Sequence, residues 1–190
     1  MKLQQYLQKP GLVIALIWIF LTAINIGKAF HMDDGFHLEA AQHITRDPLH
    51  PMSGMIRWDN DEPEPIYKAN QPPLLFYMIA GLSMVFGFNE VVMHLLIATF
   101  SFLGLYWFYK ACVLLKVKRA LLLVSLLGLC PAFDVSQNVM TDVPVMALLI
   151  GAFYYLLLSQ TRQEKKNMLI SILLLTIGIF IKYTVLPVLA

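Results

Sequence analysis

The chain has 190 residues, of which 58% are hydrophobic and only 14% are charged, and its mean hydropathy is +0.67. Soluble domains carry about 25% charged residues, so this composition excludes an ordinary soluble protein and indicates an integral membrane protein. The formal net charge is only +2 and the basic residues are dispersed, which argues against a nucleic acid as the partner. Cys112 and Cys130 lie inside apolar runs and predict neither a disulfide nor a cysteine metal site.

Six apolar runs follow one another along the chain, and each is a candidate for a membrane-crossing helix of about 20 residues. They cover residues 11–27, 74–88, 91–115, 120–136, 143–158 and 168–190. The first run follows Lys2 and Lys9, and no small-x-small cleavage site comes after it. We therefore predict an uncleaved first helix with the N-terminus in the cytoplasm.

Two basic clusters, at 116–119 and 162–166, decide how many runs cross, because lysine and arginine accumulate on the cytoplasmic side. Six crossings would put both clusters outside, whereas both become cytoplasmic if the run at 74–88 lies in the interface without crossing. That run is short, follows Pro72-Pro73 and is rich in aromatic residues, as expected of an interfacial helix. We predict an all-α, polytopic membrane protein with about five transmembrane helices; a short tilted spanning helix at 74–88 is the alternative.

A long polar loop at 31–73 separates the first two runs and carries eight acidic residues against three basic ones. Long structured loops at a membrane face usually carry function. Within it, Phe36, Ala40, Ala41 and Ile44 have the spacing of one helical face and predict a short helix lying on the membrane, with Asp33 or Asp34 as its N-cap.

The adjacent carboxylates of Asp33 and Asp34 form the first candidate catalytic group. Close to apolar walls, such a carboxylate suits a general base for a hydroxyl or amine acceptor, or a ligand for a divalent cation. Asp142 is predicted on the same outer face, so three acids converge there. Helix capping is the alternative for each, and Thr141-Asp142 followed by Pro144 also indicates a helix start. Lys182, in the last apolar run, either snorkels or holds a lipid phosphate.

Four histidines in or beside the loop suggest a metal site, because His37 lies four residues after Asp33. The alternative is that they are ordinary surface residues facing water or lipid headgroups. We therefore leave the metal open, with Asp33, Asp34 and Asp142 as its ligands if one binds. The four are His31, His37, His43 and His50.

Four motifs, taken in order, resemble the membrane glycosyltransferase superfamily with the C-type fold, especially protein O-mannosyltransferases and the lipid A aminoarabinose transferase. They are MDDGFHLEAAQ, NQPPLLFYMIAG, PAFDVSQNVMTDVPVMALL and GIFIKYTVLPVL. The resemblance implies transfer of a sugar from a polyprenyl-phosphate carrier to an acceptor at the outer face. It also implies Asp33 as the base with Asp34 beside it, Asp142 as a second site acid, and a Pro-Pro-Leu helix that stays outside.

Three positions where the family often has a cation are neutral or weakly basic here, namely Gln71, His94 and Gln137. The positive charge that binds the phosphate of the carrier would then come from Lys182, Lys68, Arg57, a protonated histidine or a metal ion. We predict substrate binding by a set of five residues: Gln71, His94, Gln137, Lys182 and His37.

Relatives in the superfamily have more helices, and this chain ends inside a hydrophobic run. We therefore expect residues 1–190 to be the N-terminal transmembrane part of a longer module, in a bacterial or archaeal plasma membrane. A noncatalytic or degenerate membrane subunit and a small transporter are the competing functions. The residues leave the sugar and the acceptor open.

Overall fold

The structure is a computed structural model that describes residues 9–57, 62–69 and 71–189. It is mostly helical, with one two-stranded antiparallel hairpin and two short 3₁₀ segments. The α-helices are α1 (Pro10–Asn25), α2 (Met32–Arg46), α3 (Leu74–Phe86), α4 (Glu90–Leu114), α5 (Ala120–Gly128), α6 (Pro131–Val135), α7 (Asp142–Arg162) and α8 (Lys165–Ile181). The strands are β1 (Met55–Ile56) and β2 (Glu64–Pro65), and the 3₁₀ segments are Ile66–Ala69 and Tyr183–Leu189.

Helix α1 packs antiparallel to α4. The indole nitrogen of Trp18 donates to the carbonyl of Ala98 at 2.7 Å, and the rings of Trp18 and Phe102 meet edge to face. At the end of α1, Phe30 stacks on His94 near the start of α4, with ring centroids 6.1 Å apart. The chain between these two helices therefore leaves and returns at the same end of the bundle.

Helix α7 packs parallel to α4 and antiparallel to α8. A Cβ added at Gly151 of α7 would lie 2.5 Å from the ring of Trp107 of α4, so only glycine permits this approach. Ser171 of α8 donates to the carbonyl of Ala152 at 2.8 Å. These directions put both basic clusters, at 116–119 and 162–166, at the end of the bundle opposite to the acidic loop.

Two helices, α4 and α7, are long and apolar enough to cross a membrane. Helices α1 and α8 have 16 and 17 residues, which at 1.5 Å per residue gives about 24 to 26 Å. The expected five transmembrane helices are thus not confirmed.

The run at 120–136 is not one helix, contrary to our expectation. Helix α5 ends at Gly128, Cys130 is extended with φ −73° and ψ 141°, and Pro131 then opens α6. Proline disfavours helical conformation in the residue before it and suits the first helical position, so the helix breaks there.

The loop between α1 and α3 folds over the end of the bundle where α4 begins. The predicted face of α2 is confirmed, since Phe36, Ala40, Ala41 and Ile44 are all buried. Helix α2 packs on α3, where Phe36 and Phe76 meet edge to face with centroids 5.5 Å apart. Two acids counted in this loop, Asp59 and Asp61, lie outside the described residues.

Candidate functional site

Asp33 and Asp34 are adjacent at the start of α2 but lie in different environments. Asp34 is fully buried, and its Oδ2 accepts a 2.6 Å hydrogen bond from the backbone N–H of His31. His31 therefore precedes the helix and a carboxylate one turn later satisfies its N–H, so neither aspartate is the N-cap we predicted. The side chain of Asp33 is 39% exposed and borders a cavity. Of the two carboxylates, Asp33 is the accessible one.

His37 lies one turn after Asp33 and is 2% exposed. Its Nδ1 lies 3.2 Å from the backbone carbonyl of Asp33. Burial lowers the pKa of His37 below 6.5. Its hydrogen bonds to the Asp33 backbone and the Gln71 side chain oppose that shift, as do the nearby carboxylates of Asp34 and Asp142. Burial therefore disfavours a positive charge on His37, which makes it a poor partner for a phosphate.

The cavity beside Asp33 has a volume of about 310 Å³. Its lining comes from α2, from the turn before α3 and from the segment that leads into α7. The lining residues are Asp33, Phe36, His37, Ala69, Gln71 and Met140. We call it the Asp33 cavity; its polar groups are a carboxylate, an imidazole and an amide.

Asp142 is the first residue of α7, as its helix-start motif predicted. Its Oδ1 accepts a 2.9 Å hydrogen bond from Nζ of Lys182, which directly follows α8. The two side chains are 50% and 29% exposed, so this ion pair lies at the rim of the bundle. The lysine and the aspartate predicted as separate site residues are thus brought together.

A second cavity, of about 320 Å³, reaches Asp142 from the other side of the 136–142 segment. Its wall is apolar apart from Ser136 and Asp142. The lining residues are Leu127, Cys130, Ala132, Phe133, Ser136, Asp142, Val143 and Met146. We call it the apolar groove; the break at Pro131 contributes α6 to its wall.

Two of the predicted substrate-binding residues are in the packed interior. Both ends of the Gln137 amide are engaged, since Oε1 accepts from Ser101 at 2.6 Å and Nε2 donates to the Phe133 carbonyl at 2.9 Å. His94 is 3% exposed and its Nδ1 contacts the Glu90 carbonyl at 2.8 Å. Neither side chain lines the Asp33 cavity or the apolar groove.

Sequence reasoning missed a polar link between the end of α1 and the 134–138 segment. Asn25 donates to Asp134 at 2.9 Å, and Lys28 donates to Asn138 at 2.6 Å. The available signal was Asn25 inside an apolar run and Lys28 directly after it, because a polar group in such a position needs a partner. These bonds hold the segment that separates the two cavities.

The described part of the chain contains no group of three or more histidine, cysteine or acidic side chains placed to hold a metal ion. Oδ2 of Asp34 accepts a hydrogen bond from the His31 N–H, and Oδ1 of Asp142 accepts one from Lys182.

His31 Nδ1 lies 3.9 Å from the Asp33 carboxylate, whereas His43 and His50 have local roles. His43 Nε2 contacts the carbonyl of His50 at 2.9 Å, and His50 Nδ1 lies 3.0 Å from the carboxylate of Asp47. The hydrogen bond from His50 is the largest influence that lowers the pKa of Asp47. These contacts fasten the turn after α2 and lie apart from the Asp33 cavity.

The sequence model of the family described as dolichyl-phosphate-mannose-protein mannosyltransferase matches residues 70–190, which is more than half of the chain. The chain belongs to this family of membrane-associated glycosyltransferases, and the resemblance inferred from the motifs is confirmed. No curated protein and no solved structure gave a significant match. The matched region includes Gln71, Asp142 and Lys182 but not the segment that carries Asp33.

Proposed function

We propose that the chain transfers a sugar from a polyprenyl-phosphate carrier to a hydroxyl or amine acceptor at the outer face of a bacterial or archaeal plasma membrane. Asp33 is the general base, and the acceptor approaches through the Asp33 cavity. The observation that supports this most strongly is that Asp33 and Met140, distant in sequence, line one cavity, and that the Asp142 carboxylate is close enough to act electrostatically on His37 in its wall.

The chemistry of the transfer fits these residue types. As the acceptor oxygen or nitrogen bonds to the anomeric carbon, its proton passes to the Asp33 carboxylate. The bond between that carbon and the phosphate oxygen breaks, and the polyprenyl phosphate leaves with the electron pair. A positioned base contributes a factor of about 10² to 10⁴ to such a step.

The departing phosphate needs a positive partner, and Lys182 is the candidate. Its ammonium is held at 2.9 Å by Asp142, which lines the apolar groove. A lipid tail in the groove would thus bring its phosphate to the lysine. In this proposal Asp142 orients Lys182, and Asp34 fixes the start of α2 so that Asp33 faces the cavity.

The membrane topology in this proposal has five crossings, with α1, α4, the α5–α6 segment, α7 and α8 spanning and α3 in the interface. The helix directions support it, because they collect both basic clusters at one end. Leucines and other large apolar side chains are exposed along the outer faces of these helices, as lipid contact requires. Examples are Leu16, Phe20, Leu126, Leu169 and Leu173.

The test is a pair of isosteric variants at adjacent positions, Asp33→Asn and Asp34→Asn. With polyprenyl-phosphate-mannose as donor in proteoliposomes, Asp33→Asn should lose sugar transfer by about 10² to 10⁴. Asp34→Asn keeps an oxygen for the His31 N–H and should retain most activity. Full activity in Asp33→Asn, or a greater loss in Asp34→Asn, would contradict the assignment; no transfer by the unmodified protein would favour a noncatalytic subunit.

A further inference from the structure

Another cavity, of about 290 Å³, lies between α4 and α7, the two helices long and apolar enough to cross a membrane. Ala111 and Cys112 of α4 are buried in its floor, whereas Leu115 and Phe153 are 54% and 52% exposed and form its open rim. Every described residue of its wall is apolar, so the cavity suits a hydrocarbon group rather than a charged one. It extends toward the end of the bundle opposite to Asp33.

The turn after α4 begins at the rim of this cavity, because Lys116 directly follows Leu115. The N–H of Lys116 donates to the carbonyl of Val113 at 3.0 Å, and the N–H of Val117 donates to the carbonyl of Cys112 at 2.9 Å. Paired bonds of this kind close the end of a helix. They also fix the backbone of Lys116 against Cys112, a residue of the cavity wall.

Lys116 occupies a backbone position that favours glycine. Its φ is 57°, in the left-handed region where a side chain is strained, and helices commonly end with glycine at this position. A lysine is therefore less stable here than a glycine would be. Strain of this kind points to a role for the side chain outside folding.

The surface around Lys116 is strongly basic. The turns at 116–119 and 162–166 contain six basic residues and one acidic residue, Glu164. Glu164 accepts a 2.7 Å hydrogen bond from the side-chain amide of Asn167. Within the part of the chain that the structure describes, no ion pair joins any of the six basic side chains to a carboxylate. Their charge is thus available to an anionic group at the membrane surface.

A lipid matches this combination better than a helix of another protein does. Helix contacts inside membranes use small residues that let two backbones approach closely. Here the large side chains of Phe108, Leu115 and Phe153 flank the floor and leave a hollow rather than a flat face. A flexible acyl chain can enter such a hollow, and its phosphate then lies at the level of the basic turn.

We propose that this cavity and Lys116 form a binding site for an anionic phospholipid of the leaflet at the basic end of the bundle. One acyl chain occupies the cavity, and the lipid phosphate binds the ammonium of Lys116. Lys118 and Arg119 of the same turn add to the positive potential. The lipid is a bound ligand and not a substrate, so the site does not depend on sugar transfer.

Native mass spectrometry of the detergent-solubilised protein tests the headgroup contact. The probes are 1-palmitoyl-2-oleoyl phosphatidylglycerol and the phosphatidylcholine with the same acyl chains, and the first phosphatidylglycerol should bind at least fivefold more tightly. Lys116→Gly should lower that affinity about fivefold without lowering the unfolding temperature, because glycine suits the left-handed backbone. Lys116→Asn, which is also neutral and tolerates this conformation, should give the same loss.

The matched control is Lys110→Gln. The ammonium of Lys110 lies over the ring of Tyr106, 6.0 Å from its centroid, and this lysine is not part of the cavity wall. The control should keep the wild-type affinity for phosphatidylglycerol. Equal binding of the two lipids by the unmodified protein, or equal losses in Lys116→Gly and Lys110→Gln, would overturn the site.

Filling the cavity tests the acyl-chain contact. Ile150→Trp places an indole in the cavity wall and should lower the affinity for phosphatidylglycerol at least tenfold, because several methylenes lose their apolar contacts. Leu156→Trp is its control, on the same helix but outside the wall and already 41% exposed. The anion sn-glycerol 3-phosphate, which has no acyl chain, should not compete with the lipid.

Equal effects of the two tryptophans, or competition by glycerol phosphate, would show that the cavity does not hold the lipid. The same spectra report the oligomeric state. If Ile150→Trp dissociates an oligomer and leaves the phosphatidylglycerol affinity unchanged, the cavity is a protein contact and the lipid site is refuted.

Discussion

The two cavities that flank the 136–142 segment have similar volumes, about 310 and 320 Å³, but opposite chemistry. The Asp33 cavity is lined by the carboxylate of Asp33, the imidazole of His37 and the amide of Gln71. The apolar groove offers methyl and ring surfaces and reaches a charged pair only at Asp142. One site therefore suits a polar group with protons to donate, and the other suits a hydrocarbon chain that ends in an anion.

In the proposed function, this difference lets one membrane face serve two unlike substrates. A lipid-linked sugar needs an apolar path open to the bilayer and a cation for its phosphate. Its acceptor needs a base and hydrogen-bond partners. The 136–142 segment, which Lys28 holds through Asn138, contributes residues to the walls of both cavities.

Filling the apolar groove should have the largest effect on substrate binding, and it should change the binding of the donor alone. Ala132→Trp places a bulky indole in the wall of the groove and displaces several methylenes of a lipid tail. At about 0.8 kcal/mol per methylene, the donor KM should rise about a hundredfold while the acceptor KM stays the same.

The matched control is Val135→Trp, on the same short helix but not in the groove wall. Its side chain is already 65% exposed, so the indole can point outward. Equal effects of the two tryptophans would show that the groove is not the lipid path.

Removing the cation at the end of the groove should have the next largest effect. Lys182→Met should raise the donor KM about tenfold, because hydrogen bonds to charged groups contribute about 1.5–3 kcal/mol. The partly exposed pair with Asp142 contributes only about 0–1 kcal/mol to folding, so loss of stability cannot account for that result. Lys182→Arg should retain donor binding; a donor KM unchanged in Lys182→Met would assign the phosphate to another group.

A substitution at Gln137 tests whether this side chain stabilises the fold or binds a substrate. Gln137→Leu leaves the Ser101 hydroxyl without its side-chain acceptor in the interior and should lower the free energy of unfolding by about 1–3 kcal/mol. Both KM values should stay unchanged, since neither cavity includes this side chain. A raised donor KM without loss of stability would restore the substrate-binding role that we predicted from the sequence.

The smallest effect should be a pH dependence of stability that His37 contributes. Burial keeps its pKa below 6.5 in the folded protein, so as the pH falls below 6.5 the unfolded chain takes up more protons. Stability should therefore decline from pH 7.5 to pH 5.5, and His37→Asn should lose part of that decline. Thermal unfolding in nanodiscs at the two pH values measures it; an identical decline in both proteins would contradict the assignment.

The sequence was sufficient for the features that depend on local pattern. The face of α2 follows from the spacing of Phe36, Ala40, Ala41 and Ile44, and the start of α7 from Thr141-Asp142 before Pro144. The prediction that both basic clusters lie at one end of the bundle needed only the positions of lysine and arginine along the chain. The family was recognisable from motif order.

Features set by contacts between distant segments could not be predicted in the same way. Adjacent Asp33 and Asp34 look alike in sequence, and only the packing of α2 makes one accessible and the other buried. Hydropathy could not divide the run at 120–136, because apolar residues continue across Pro131 from Leu129-Cys130 to Ala132-Phe133. The engagement of Gln137 by Ser101 depends on how α4 meets a segment 36 positions away.

The most direct test of the division between the cavities is to locate the lipid tail by photo-crosslinking. Polyprenyl-phosphate-mannose with a diazirine in its first isoprene units is irradiated with the protein in proteoliposomes, and mass spectrometry identifies the labelled residues. The account predicts labelling at Ala132, Val143 and Met146 of the apolar groove, with loss of that labelling in Ala132→Trp. Labelling at Phe36 and Ala69 in the Asp33 cavity instead would contradict it.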